Sequence, residues 1–248
     1  MITRINPSEM NLKLDTIYDY NGIPVPRVTN ILSSMLHEEY LMGWANYIGL
    51  KGEQYRKTLN AAAVKGTYTH NAIEKYVQNG TEFDSSKVPE NYRYAVNNAY
   101  LSFLKWWEII TQNNYRVIMQ EEKLVGKYFA GTLDLLIEIN GLVYLMDFKT
   151  SNHPSFKYFL QLSAYIYLLK ELYNIDVDGC GIIMLSKDDI SFNEIILNDI
   201  RIPGSYNNQY MKYCEETFLS LAYAFYNRSR VESMFKEVIK NNESTIQQ

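Results

Sequence analysis

Between Arg116 and Thr150 the chain changes its hydrophobic period, and that change limits the folds open to it. Three strand-like runs, Arg116 to Val125, Tyr128 to Ile139 and Leu142 to Thr150, follow one another closely, and Asn140-Gly141 joins the last two with a strong hairpin signal. An antiparallel meander is therefore expected in the middle of the chain.

Helical patterns flank it. On the N-terminal side Pro24 and Pro26 break an irregular start, and Thr29 reads as the N-cap of a short helix through Met35. Further helices are expected over Glu38 to Leu50, from Gly52 to about Val77 with a stop at Asn79-Gly80, and over Glu90 to Gln112. In the last of these Tyr94, Tyr100, Leu101, Leu104 and Trp107 recur at core-facing spacing. After the meander come a helix from about Ser155 to Tyr173, strands near Gly179 to Ser186 and Ile190 to Leu197, and a long amphipathic helix from about Tyr206 to Lys240. The expected class is mixed α/β (α+β), a central mixed sheet covered by helices. One domain is expected, with a helical lobe over about 25–113, a core over 114–200, a C-terminal helix over 205–240 and a frayed tail over 241–248.

No apolar run approaches the ~20 residues of a membrane-spanning helix, and the N-terminus lacks the pattern of a secretory signal, so no membrane partner and a cytoplasmic setting are expected. Two cysteines, Cys180 and Cys214, lie far apart without a C-x-x-C pair, which excludes a cysteine-ligated iron–sulfur or zinc site. The formal net charge of −4 argues against binding nucleic acid through an overall positive field. It does not argue against local contacts, because acids gathered round cations lose their repulsion where a phosphate would sit.

The chemistry concentrates between Gly131 and Lys149. Side chains alternate along a strand, so Asp147 and Lys149 project from one side and Phe148 from the other, with Asp134 on the neighbouring strand. Carboxylates in apolar strands are costly to desolvate unless paired or metal-bound. Hard divalent cations prefer carboxylate oxygen and leave room for water and phosphate. Asp134 and Asp147 are the principal candidate ligands for one or two ions. Lys149 is a flexible point charge suited to orienting or deprotonating water, or to binding a phosphate oxygen.

The ordered set Gly66-Thr67-x-x-His70-x-x-x-Glu74, Glu122, Gly131-x-x-Asp134, Asp147-x-Lys149-Thr150 and Gln161-x-x-x-Tyr165 resembles the PD-(D/E)XK nuclease superfamily, in its RecB-like exonuclease branch. The likeness spans roughly residues 25 to 185. It implies a restriction-endonuclease-like core with an N-terminal helical lobe. It also implies a Mg²⁺- or Mn²⁺-dependent DNA nuclease, commonly an exonuclease of recombination, repair or phage DNA processing, in the host cytoplasm if phage-encoded. Its partners would be DNA and a recombination or replication protein, with oligomeric state open. On this reading His70, Asp134 and Asp147 are metal ligands and Lys149 is the catalytic lysine. Gln161 and Tyr165 support the site or touch DNA, beside Thr150.

Leu133 replaces the proline of the superfamily name, and helicase motifs are absent. Of the adjacent acids Glu121 and Glu122 only one can face the site, and the family's preceding-strand acid falls on Glu122. Glu74, one turn beyond His70, can share its helix face. Lys51, Arg56, Lys57 and Lys65 are candidate phosphate-backbone contacts on the helical lobe. Two competing readings are an inactive nuclease-fold module that binds DNA or protein, and a restriction-type endonuclease.

Overall fold

A computed structural model of the chain describes residues 18–36, 39–197 and 208–246. The meander forms as expected: β3 (Tyr115–Val125), β4 (Ala130–Ile139) and β5 (Leu142–Lys149) pair antiparallel in order. Asn140 and Gly141 take φ of 52° and 84° in the two-residue turn, values that asparagine and glycine tolerate and that match the twist of a tight hairpin.

The sheet continues as β6 (Gly179–Leu185) and β7 (Phe192–Leu197), giving the order β3-β4-β5-β6-β7. Only β5 and β6 run parallel. A parallel pair needs a crossover, which α5 (Phe156–Tyr173) supplies. Ser155 caps that helix through its hydroxyl, which accepts a hydrogen bond from the Lys157 amide at 3.3 Å, and Asn174 ends it in the left-handed region.

Alternation along the central strands serves two cores. Leu145, Cys180, Ile182 and Met184 pack with α5, with α1 (Val28–Met35) and with the first half of α6 (Asn208–Ile246). Met146, Phe148, Ile183 and Leu185 pack on the opposite face against α3 (Tyr55–Asn79) and α4 (Glu90–Thr111), where Phe103, Trp106 and Phe148 meet edge-on or tilted. The architecture is thus a mixed α+β one, with helices on both faces of a five-stranded sheet.

Several local expectations need correction. Residues 18–25, read as irregular, form a small hairpin of β1 (Tyr18–Tyr20) and β2 (Ile23–Val25) with Asn21-Gly22 at its turn. Arg27, not Thr29, occupies the N-cap of α1, because its chain is held in extended geometry by a bridge to Ala130. Tyr94 is exposed rather than core-facing, its hydroxyl donating to the Asp188 carbonyl. The C-terminal helix runs on to Ile246, so residues 241–246 of the expected frayed tail are helical and 247–248 lie outside the described residues. Its expected first residues, 206 and 207, also lie outside them. The remaining helix, α2, covers Glu39–Leu50. No helix among the described residues is long and apolar enough to cross a membrane.

Candidate metal centre

Asp134 and Asp147 sit opposite each other on β4 and β5, in the register that pairs Leu135 with Met146. Asp147 shares the α5 side of the pleat with Leu145, while its neighbours Met146 and Phe148 turn into the other core. The Phe148 amide donates to Asp134 Oδ2 at 2.7 Å. The carbonyl of the same residue, Phe148, lies 3.1 Å from His70 Nε2. That contact sets the imidazole so that Nδ1 points at the acids, 3.5 Å from Asp134 Oδ1 and 3.6 Å from Glu121 Oε1. His70, Glu121 and Asp134 each offer a ligand atom, all within 4.8 Å of one another.

Glu121 takes the place expected for Glu122. A bulge between Val117 and Met119 shifts the β3–β4 register by one residue, so that Glu121 falls opposite Asp134, between the pairs Gln120–Leu135 and Glu122–Leu133. Glu122 is directed outward, beside the Tyr173 phenol on α5. Glu121 also has φ of 47°; among the described residues the other non-glycine residues with positive φ are asparagines, which visit that region readily. A glutamate held there carries backbone strain next to the carboxylate cluster.

Asp147 belongs to a second, connected group. It is 2% exposed, and the Lys149 ammonium lies 2.6 Å from its Oδ2 without a well-directed hydrogen bond. Gln161 from α5 bridges the pair: its Nε2 donates to Asp147 Oδ1 at 3.3 Å and its Oε1 accepts from Lys149 at 3.2 Å. The same amide nitrogen reaches Tyr165 Oη at 3.1 Å, one turn along α5. Tyr165 in turn fills the space over Gly131, where a Cβ would overlap its Cε1. Lys149 also stands over the Tyr158 ring, 5.1 Å from its centroid.

Burial governs the electrostatics. It pushes Asp147 up to about 6, although the Lys149 ammonium pulls the other way, and it raises Asp134 despite attraction to His70 and Lys149. For the two cations burial acts downward, yet the acids win. Asp134 and Glu121 raise His70 to about 9, and Asp147 with Asp134 holds Lys149 above its ordinary value. Without a metal the site thus keeps His70 and Lys149 as counter-ions to its carboxylates.

Of the other expected residues, Thr150 is at the site's edge, with Gly66 of α3 packed so close that a Cβ there would be 3.7 Å from Thr150 Oγ1. Glu74 lies outside the cluster and accepts from Gln78 instead. Lys51 is exposed and stacked on Tyr47, while Arg56 and Lys57 are exposed at the start of α3 and join no ion pair among the described residues. Lys65 is half-buried on the stretch of α3 leading to His70.

Sequence reasoning missed three further residues beside the acids. Tyr18 Oη meets Thr132 Oγ1 at 2.7 Å, on the same face of β4 as Asp134. Arg27 lies over the Tyr18 ring, with its Nε buried and lacking a hydrogen-bond partner among the described residues. Tyr158 supports Lys149. No local motif marks them, because each reaches the site from a separate segment.

The donor set suits a divalent cation. Two carboxylates and an imidazole gather on one point, and the burial of Asp134 and Asp147 opposes their charge in a way a cation would relieve.

No family model matches the chain, and no curated protein matches it. Among solved structures it is similar to one described as "Crystal structure of SSO0001", with 14% identity, 64% of this chain and 71% of that chain covered, and a TM-score of 0.31. A likeness so loose carries no argument about function.

Proposed function

We propose that the protein is a Mg²⁺- or Mn²⁺-dependent deoxyribonuclease, an exonuclease serving DNA recombination, repair or phage DNA processing. One observation carries the reading: the His70–Glu121–Asp134 cluster stands directly beside the Asp147–Lys149–Gln161 group across two paired strands. The ordered motifs of the sequence support it independently.

A cation at this cluster would acidify water and neutralise charge developing on phosphorus. The chain's own groups do the rest. Lys149, kept protonated by two carboxylates, acts as a hydrogen-bond donor to a phosphate oxygen or to the attacking water, rather than as a base. Gln161 holds both the ammonium and the Asp147 carboxylate, so little rearrangement is needed when the substrate arrives. His70 brings a nitrogen donor, which favours Mn²⁺ over Mg²⁺.

End-labelled linear DNA incubated with Mg²⁺ or Mn²⁺ is the direct test. Wild type is expected to shorten it progressively from an end, and Asp147→Ala to leave it intact. Intact DNA with both proteins defeats the proposal. Cutting of closed circular plasmid would move it to an endonuclease.

A further inference from the structure

A groove of about 280 Å³ begins two residues beyond Lys149. Ser151, Asn152 and Pro154 line one wall, and Ser186, Lys187 and Asn193 the other. The first wall is continuous with the site, since Ser151 Oγ contacts Tyr158 Oη at 2.8 Å and Tyr158 carries Lys149 on its ring. The second wall is the β6–β7 turn, which α4 holds at three points. Asn98 Nδ2 donates to the Lys187 carbonyl at 3.1 Å, Tyr94 Oη to that of Asp188 at 3.0 Å, and Lys105 Nζ to that of Ile190 at 3.1 Å.

Lys187 is presented by this fastened turn, while Lys65 comes from α3, next to the Gly66–Thr150 contact. We propose that Lys65 and Lys187 form a phosphate subsite flanking this groove, which holds the backbone of the nucleic-acid strand next to the metal-binding carboxylates. The inference rests on the nuclease reading and adds the path of the strand to it.

Three observations favour a phosphate as occupant. Neither ammonium joins a salt bridge among the described residues. The two repel each other: burial first, and Lys65 second, hold Lys187 below its ordinary range, with Asp188 offsetting only part of that. An anion between them would remove the repulsion. Ser151, Asn152, Ser186, Ser191 and Asn193 also give the groove hydroxyls and amides that suit a sugar–phosphate chain, beside one carboxylate, Asp188, and the apolar Met184, Leu185 and Phe192. Because the turn is fastened before any ligand binds, little ordering cost accompanies binding.

Lys65→Gln, Lys187→Gln and the double variant would be compared with wild type, with Lys187→Arg as the conservative replacement and Lys236→Gln, an exposed lysine on α6, as the control for loss of charge. Fluorescence anisotropy with a labelled single-stranded oligonucleotide in Ca²⁺ reads binding, and Mn²⁺-dependent cleavage reads KM and kcat. Each glutamine variant is expected to raise Kd and KM by roughly threefold to tenfold and to flatten the salt dependence by about one phosphate contact. Mn²⁺ affinity and kcat should stay as in wild type, Lys187→Arg should restore binding, and Lys236→Gln should behave as wild type. Variants that bind and cleave like wild type, or an effect equalled by Lys236→Gln, overturn the subsite while leaving the nuclease intact. Wild type that binds the strand through both lysines yet never cleaves it overturns the nuclease reading instead.

Discussion

The Lys149 ammonium lies 2.6 Å from Asp147 Oδ2, one pleat apart on β5, and Gln161 touches both from the helix that crosses over to β6. Two residues that share a strand face are thereby locked by a third from a different element. Removing one member leaves the others buried and unmatched.

Lys149→Ala is accordingly expected to lower kcat by about 10²–10³-fold, the usual cost of losing one aimed donor. In metal-free protein it should also lower stability by about 3 kcal/mol, because it strands the buried Asp147 charge. Urea unfolding of Lys149→Ala, Asp147→Asn and the double variant checks this. The double variant should be far less destabilised than the sum of the singles.

Glu121→Gln should weaken Mn²⁺ binding roughly tenfold to hundredfold, the range seen when groups that hold or orient a metal are removed. Glu122→Gln should leave it unchanged, since that side chain points to Tyr173. Isothermal titration with Mn²⁺ separates the two; equal losses would disprove the assignment of Glu121.

Metal-free stability should depend on His70 with a definite sign. Its folded value of about 9 lies above the ordinary 6.5, so its stabilisation is fully present below about pH 6.5 and is lost as the pH rises through 9. Because a cation must displace that proton, Mn²⁺ affinity should rise between pH 7 and 9, with about one proton released per ion. Calorimetry in buffers of different ionisation enthalpy counts the proton, and His70→Gln should abolish its release.

Gly131→Ala should destabilise the fold by about 1–3 kcal/mol, as overpacking does, since the added Cβ would overlap the Tyr165 ring. Pairing it with Tyr165→Leu should cost less than the two changes summed. Additive losses in chemical denaturation would show that the ring is not what excludes the methyl group.

Much of the scaffold was legible because its signals are local. The Asn140-Gly141 turn, the alternation in β4 and β5, and the helical spacing from about Ser155 to Tyr173 each act over a few residues, and all stand where expected. The neighbouring positions of Asp134, Asp147 and Lys149 follow from that alternation, and Gln161 and Tyr165 from helical spacing. The small hairpin of residues 18–25 escaped because a strand of three residues is too short to show a period.

Local patterning by itself thus determined the strand and helix order and the faces on which the central acids and the lysine lie. Only the tertiary structure decided which of two adjacent glutamates joins them. A bulge three residues upstream shifts the register, and on a period of two a one-residue shift turns every following side chain over. It alone also brought Tyr18 and Arg27 beside that site and Lys187 to the groove that begins two residues beyond Lys149, since contacts between segments distant in sequence arise from packing and leave no periodic trace in the chain.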